Sequence, residues 1–301
     1  MSVRPVFLGD RFVSWLETPV PVLRLEIVRI GVPLAVLGFM SSRVAHADEW
    51  LGGAGFRVPD LGTSDYRQPL YLAALPDGAA WAVAIVLVLS GLALAAGFRA
   101  RQAAAVFACA TAYVALSDRL AAFSVSKLAP VVAIALAASP CGRRLGFDAW
   151  RKKTKRPARA LPSEVTSGSV RFFQVLLPVI YCASGIAKAR GDWLGDSYVL
   201  WSHLHDSYQT AVTVAVANIT PKTAWPLLQW VVLVFEAGAP LWFAVARTRK
   251  IVLVVGLGMH FMIGIMFGPV LWFAVLMSTL LAASYLPSEL LDRAAARVTR
   301  C

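Results

Sequence analysis

The sequence contains few ionisable side chains, and this scarcity restricts the kind of protein it can be. Of its 301 residues only 15% are charged, 17 are acidic and four are histidine. Hydrophobic residues make up 58% of the chain, and the mean hydropathy of +0.65 lies above the range of ordinary soluble domains. This composition predicts a chain surrounded by lipid.

Cysteine is also rare, and its distribution argues against the frameworks that cysteine usually builds. The four cysteines form no CxxC pair and no grouping with histidine at zinc spacing. We therefore expect no structural metal and no disulfide framework. Residues 1–21 lack the short apolar core and small-residue cleavage site of a signal peptide, so we expect the first span to be retained.

Apolar runs long enough to cross a bilayer core recur along the chain. They predict an all-α polytopic bundle forming a single transmembrane domain over residues 1–301. The predicted spans lie at about 22–41, 79–98, 103–118, 123–139, 170–187, 224–246, 251–268 and 270–286. Gly268 and Pro269 separate the last two spans, which suits a tight turn. Eight spans leave no room for a soluble catalytic domain, so any chemistry must occur in the bundle or at its edge.

Positive charge alternates between the loops. One set of loops holds 18 Lys and Arg residues, and the opposite set holds seven. Because short positively charged loops stay on the cytoplasmic side, both termini and the basic loop 141–168 are predicted to be cytoplasmic. Despite the net charge of +12, we interpret this loop as a solvated segment touching anionic lipid headgroups, and we expect no nucleic-acid partner.

The segment of about 192–221, between the fifth and sixth spans, is amphipathic and rich in Trp, Tyr and His. This pattern predicts a helix at the outer interface, where it would cover a site on the outer face. We find no inverted repeat in the sequence, which disfavours a secondary transporter.

Ionisable residues inside the spans are the candidates for function, because each costs free energy that packing does not repay. Glu26 and Arg29 stand three residues apart, so a local ion pair is a sufficient structural account of both. A carboxylate in the middle of a span, such as Glu236, must be neutralised or paired. Lys188 could simply snorkel to the headgroups, and His260 could be a satisfied core histidine. The residues alone indicate a polar interior site near the outer face.

The segment 181–193 resembles the hallmark segment of the HTTM (horizontally transferred transmembrane) family, whose best-known member is the membrane part of vitamin K-dependent gamma-carboxylase. Tyr181, Gly185, Lys188 and the pair Asp192-Trp193 stand at the family spacing. The resemblance covers most of the chain and is specific from about residue 170 to residue 273.

The resemblance implies a membrane oxygenase that epoxidises a small hydroquinone with molecular oxygen as co-substrate. Lys188 inherits the role of the general base that deprotonates the hydroquinone. An amine can act in this way near neutral pH only where burial or a neighbouring cation favours its uncharged form. Three further residues, at family positions, would hold the second hydroxyl or orient the peroxide: His260, His205 and Glu236. The expected substrate-binding residues are Lys127, Tyr181, Arg190, Trp193 and Trp201.

The sequence differs from the carboxylase in two ways that limit which of the family's properties can be expected here. Ser126-Lys127 stands where the carboxylase has an Asn-His pair, and Lys127 would serve as a cationic stabiliser of the phenolate. The chain also lacks the large extramembrane portion that captures the carboxylase's protein substrate, so we do not expect glutamate carboxylation.

Other functions stay open at this point. A non-enzymatic accessory factor for the maturation or export of a peptide toxin, with a protein partner, is one alternative, and a small-molecule carrier is another. A divalent metal that assists the reaction is not excluded. We expect the protein in a bacterial plasma membrane, with its active site toward the outer side.

Overall fold

The computed structural model describes residues 8–55, 72, 74–117, 123–155, 161–205 and 209–298. In this part of the chain nearly all regular structure is helical, which confirms the all-α prediction. The chain forms two compact units, one of residues 1–169 with 288–301 and one of residues 170–287. The boundary between them falls at the end of the basic loop.

Unit 1 is built around packed helices α2, α4, α5 and α6. Its helices are α1 (Leu8–Glu17), α2 (Leu23–Ala45), α3 (Ala47–Trp50), α4 (Asp77–Ala96), α5 (Ala100–Ser117), α6 (Ser124–Ala138), α7 (Phe147–Lys155) and α15 (Ser288–Val298). Helix α2 packs against α4 and α6, and α5 packs against both α4 and α6. Strands β1 (Pro19–Pro21) and β2 (Glu164–Thr166) pair antiparallel, with Val20 opposite Val165.

The core of unit 1 contains a buried charge that makes four hydrogen bonds. Arg29 donates from Nε to Glu26 at 2.6 Å and from Nη1 to the carbonyl oxygens of Leu94 and Ala95 at 2.7 and 2.6 Å. Its Nη2 donates to the Leu145 carbonyl. The last carbonyls of a helix lack partners within the helix, so the guanidinium satisfies the C-terminus of α4. The ion pair expected between Glu26 and Arg29 is confirmed.

Unit 2 contains the remaining helices. They are α8 (Gly168–Arg190), α9 (Val199–His203), α10 (Ala211–Ile219), α11 (Ala224–Ala237), α12 (Ala239–Ala244), α13 (Ala246–Met266) and α14 (Leu271–Tyr285). Helices α13 and α14 form a hairpin around a 3-10 turn at Gly268–Val270, which confirms the tight turn predicted there. The hydroxyl of Thr210 donates to the Ile265 carbonyl at 2.7 Å and joins the start of α10 to the end of α13.

Each of the eight predicted spans coincides with a helix, but two segments differ from the prediction. The segment 224–246 is divided at Gly238, because Pro240 lacks a backbone N–H and starts a new helix, α12. The segment 192–221 is not one helix. It contains the short helices α9 and α10 in its described residues, with a turn after α8 that includes Gly191.

Four helical segments in the described residues are long and apolar enough to cross a membrane: Asp77–Ala96, Gly168–Arg190, Ala246–Met266 and Gly268–Tyr285. Helices α6 and α11 are apolar but shorter. Large apolar side chains on these helices face outward, among them Leu89, Ile134, Val254 and Phe261, each more than 60% exposed. Such surfaces are stable only in lipid, so the chain is a membrane protein. The number of spans and their orientation stay predictions.

Candidate active site

One face of α8 carries the polar residues of the site. Tyr181, Ser184 and Lys188 stand at positions i, i+3 and i+7, which places them on the same side of the helix. Tyr181 is buried, and Lys188 near the end of the helix is partly exposed. The sequence thus builds a polar stripe from a buried level of α8 up to its C-terminus.

Lys188 forms an ion pair with Glu236 of α11. The ammonium also donates to the Ser184 hydroxyl at 2.9 Å, and the Trp193 ring lies 5.2 Å from Nζ. The Lys188 side chain is 24% exposed and the Glu236 side chain 8%, so the charges are largely withdrawn from solvent. The carboxylate that had to be paired in the middle of a span has its partner in the lysine expected to act as the base.

Gly185 allows the two helices to approach each other closely at this level. A Cβ atom at Gly185 would lie 2.4 Å from the backbone nitrogen of Ala237 and 2.9 Å from the carbonyl carbon of Glu236. No side chain fits in this space, so α8 and α11 meet backbone to backbone beside the ion pair.

A second polar pair lies deeper in unit 2. The Tyr181 hydroxyl is 2.6 Å from Nε2 of His260, a residue of α13 that is 1% exposed. Among the described residues, Nδ1 of His260 is buried with no hydrogen-bond partner. A buried polar nitrogen without a partner is costly, which makes it a candidate for contact with a bound molecule. The Phe235 ring, next to Glu236 in the chain, contacts the Tyr181 ring at 5.3 Å, so the two pairs are neighbours in unit 2.

Aromatic rings form the apolar wall of this site. The Tyr181 ring contacts Phe235 edge to face at 5.3 Å and lies parallel to Phe243 at 6.2 Å. Phe243 in turn stacks on Tyr285 at 4.5 Å, and Phe273 meets the His260 ring edge to face at 5.7 Å. These rings are largely buried and pack on one another, so they surround the Tyr181–His260 pair with apolar surface.

Gln229 of α11 fixes the segment that carries Trp193. Its Nε2 donates to the carbonyl oxygens of Trp193 and Asp196, both at 2.7 Å, and its Oε1 accepts from the Leu200 amide at 3.1 Å. The side chain is 2% exposed and makes these three bonds to one stretch of backbone. Gln229 therefore positions the segment that places an aromatic ring beside Lys188.

Sequence reasoning missed both Gln229 and Ser184. A polar amide inside the apolar run 224–246 was a usable signal for Gln229. The hydroxyl of Ser184 could have been noticed because it stands four residues before Lys188 on a helix.

The other expected site residues lie elsewhere. His205 donates from Nδ1 to the Trp201 carbonyl at 2.9 Å, and its ring lies tilted against the Trp201 ring with centroids 4.2 Å apart. The Trp201 ring also has a neighbouring cation, because Nζ of Lys222 lies 4.5 Å from its centroid. Arg190 is exposed at the end of α8, and Lys127 belongs to α6 of unit 1. The structure thus brings together Lys188, Glu236, Tyr181, His260 and Trp193 of the residues proposed from sequence.

The polar groups of the site are one amine, one carboxylate, one imidazole, one phenol and the hydroxyl of Ser184. Among the described residues there is no group of three His, Cys, Asp or Glu side chains placed to hold a metal ion. The amine and the carboxylate are joined by an ion pair, and Nδ1 of His260 can hydrogen bond a ligand.

Fold and site together define the class of this protein. It is a helical membrane protein with a lysine–carboxylate pair at one end of a long helix. The profile of the HTTM domain matches residues 60–284, so the chain belongs to the HTTM family. Neither curated proteins nor solved structures gave a match.

Proposed function

We propose that this protein is a membrane oxygenase that epoxidises a small hydroquinone with molecular oxygen, using Lys188 as the general base. The observation that carries the proposal is the placement of the Lys188 amine between Glu236, Ser184 and the Trp193 ring. In this proposal Lys188 is the base, Glu236 accepts its proton, and the Trp193 ring is the neighbouring aromatic surface.

The lysine and the carboxylate work as a unit in this proposal. When their shared proton resides on Glu236, the Lys188 amine is neutral and takes the proton of a quinol hydroxyl. The resulting phenolate is electron-rich enough to react with oxygen at a ring carbon. The pair then carries one extra proton, and its positive charge stabilises the oxygen anions that form.

The proposed reaction balances without a further reductant. The hydroquinone and one O2 give an epoxyquinone and one water. One oxygen atom enters the epoxide, the O–O bond breaks, and the second oxygen leaves as water with both quinol hydrogens. The proton that the pair removed in the first step is returned to this departing oxygen.

The aromatic wall supports an aromatic substrate. In this proposal the quinol ring binds beside these aromatic rings, close to Nδ1 of His260, which lacks a partner among the described residues. We propose that this nitrogen binds the second hydroxyl. Roles for Arg190 and Trp201 in substrate binding, for His205 in orienting the peroxide and for Lys127 as a phenolate stabiliser stay part of the proposal.

We also propose that the site opens toward the outer side of a bacterial plasma membrane, on the alternation of loop charge. Single cysteines introduced at Ser202 and Thr154, in a chain without native cysteines, test this orientation. A membrane-impermeant maleimide added to intact cells should label position 202 and not position 154. The reverse pattern would reject the proposed direction.

The reaction is tested on the purified protein in detergent. Hydroquinones of varied ring substitution are supplied under oxygen, and products are examined by mass spectrometry for conversion to the epoxyquinone. We expect Lys188→Ala to abolish turnover and Lys188→Arg to do the same, because arginine keeps the charge but cannot act as a base at neutral pH.

Turnover of a quinol by Lys188→Ala at the wild-type rate would remove Lys188 from the mechanism. If no hydroquinone is consumed by the wild type, the oxygenase proposal fails, and the accessory-factor and carrier alternatives become the functions to test.

A further inference from the structure

Unit 1 contains a small polar cleft. The cleft has a volume of about 300 Å³ and is lined by Arg101, Arg143, Ser139, Thr166, Ala138 and Pro140. It lies where α5 begins and α6 ends. Two guanidinium groups and two hydroxyl groups therefore share one small space.

The arginines of this cleft suit a phosphate group. Arg101 donates from Nε to the Ala137 carbonyl at 3.1 Å, which anchors its side chain at the base of the cleft. Two carboxylates of unit 1 are engaged elsewhere, since Glu26 binds Arg29 and the Arg144 amide, and Asp148 accepts from the Arg99 amide at 2.7 Å. A planar guanidinium forms paired hydrogen bonds with phosphate oxygens.

An apolar groove begins close to this cleft along the same helix. It has a volume of about 420 Å³ and runs between α4 and α5, past Ala82 and Val86 on one side and Ala105, Cys109 and Tyr113 on the other. Its walls are almost entirely carbon. The groove has the surface chemistry of a hydrocarbon-chain site.

The spacing along α5 connects the cleft with the groove. Arg101, Ala105 and Cys109 follow one another at intervals of four residues and are exposed, so they lie on one outward face. At a rise of about 1.5 Å per residue, Tyr113 lies about 18 Å from Arg101 along the axis. This is close to the depth of one leaflet, about 15 Å of hydrocarbon.

Aromatic side chains mark the same end of α5 as a membrane interface. Phe98, Phe147 and Trp150 form a chain of ring contacts, each with centroids 5.8 Å apart, and all three are more than 40% exposed. Helix α7 continues from them with exposed Arg151 and Lys152. Exposed aromatic rings beside basic residues are typical of segments at the level of the headgroups. This surrounding favours a lipid over a free phosphate ion as the occupant.

We propose that unit 1 binds one anionic phospholipid, with its phosphate between Arg101 and Arg143 and one acyl chain along the α4–α5 groove. The site lies in the other unit from Lys188 and is independent of the oxygenase proposal. Its ligand is a structural or regulatory lipid rather than a substrate.

The test uses the full-length protein purified in mild detergent and given an equal mixture of phosphatidylglycerol and phosphatidylcholine. Native mass spectrometry counts the lipids that stay bound. We expect the wild type to retain phosphatidylglycerol about tenfold more than phosphatidylcholine, and the Arg101→Gln/Arg143→Gln variant to lose that preference. The matched control, Arg151→Gln/Lys152→Gln, removes the same charge from α7 and should retain the lipid within about twofold.

A second pair of variants tests the groove without a change of charge. Ala105→Phe fills the groove and should lower the retained phosphatidylglycerol, whereas Leu92→Phe, on an exposed position of α4 outside the groove, should not. Millimolar inorganic phosphate should leave the bound lipid in place, since it lacks the acyl chain.

Three results would overturn the proposal. They are equal retention of the two lipids by the wild type, an equal loss in both charge variants, and displacement of the lipid by inorganic phosphate. The first measurement needs no variant, so it decides the matter even if a substitution impairs folding.

Discussion

The hydroxyl oxygen of Tyr181 lies 2.6 Å from Nε2 of His260, across 79 positions of the sequence. The other ring nitrogen of His260, Nδ1, is buried and has no partner in the part of the chain that the structure describes. The hydroxyl bond limits how the ring can turn, and thereby directs Nδ1 toward one place. A hydrogen bond between two helices thus orients the nitrogen that we propose to bind the quinol.

Tyr181→Phe keeps the ring contacts and removes this bond. We expect it to weaken quinol binding about tenfold, equivalent to about 1.4 kcal/mol, because His260 loses its fixed orientation. The measurement is KM for the best hydroquinone. Tyr285→Phe is the matched control, since its hydroxyl donates to the Gln174 carbonyl, and it should change stability but not KM. An equal rise of KM in both variants would show a general loss of packing instead.

Glu236→Gln preserves the shape of the carboxylate and removes its charge. The loss of a partner for a largely buried ammonium should lower the free energy of unfolding by about 3 kcal/mol. The double variant Lys188→Met/Glu236→Gln leaves no uncompensated charge, so we expect it to be more stable than Glu236→Gln alone. Denaturant unfolding in detergent, followed by far-ultraviolet circular dichroism, measures both. A double variant less stable than the single one would mean that the two charges do not act as a pair.

Gln229→Leu removes three hydrogen bonds from the segment that carries Trp193. At about 1 kcal/mol for each bond, local opening of residues 193–200 should become easier by about 3 kcal/mol. Hydrogen–deuterium exchange resolved by peptide should be faster there and unchanged in α13. If peptides from α13 exchange faster by the same factor, the effect is global unfolding, and Gln229 does not stabilise this segment specifically.

Cys141 offers a prediction about pH. Burial raises the pKa of its thiol above the ordinary value. Because only the thiolate is alkylated, the pH at which the reaction rate is half-maximal should be higher in the folded protein than in the same chain unfolded in urea. The measurement uses a chain with Cys109, Cys182 and Cys301 replaced by serine and iodoacetamide as reagent. Coincident pH profiles would contradict the predicted shift.

The positions of the long helices could be predicted from the sequence because each is encoded locally. An apolar run of fixed length predicts a helix in a chain that must satisfy its backbone in lipid, and a helix was found at every predicted span. The break at Gly238 was missed, since the hydropathy of the run 224–246 continues across it. Only the missing N–H of Pro240, and not the apolar character, interrupts that segment.

The candidate site was only partly predictable, for a different reason. Lys188 and Glu236 each stood out as a costly charge, but their contact joins residues 48 positions apart and depends on how α8 packs on α11. The partner of His260 was likewise invisible, because Tyr181 had been assigned to the substrate by resemblance. The sequence identifies which polar groups need partners, whereas the packing decides which of them meet.

Gly185 shows that a single residue without a side chain can decide how closely two helices approach. Its hydrogen atom occupies the place where a Cβ would lie 2.4 Å from the Ala237 backbone nitrogen. A methyl group there would push α8 away from α11 and lengthen the gap that Lys188 and Glu236 span one turn above. The distance between these two charged groups thus depends on the absence of a side chain at Gly185.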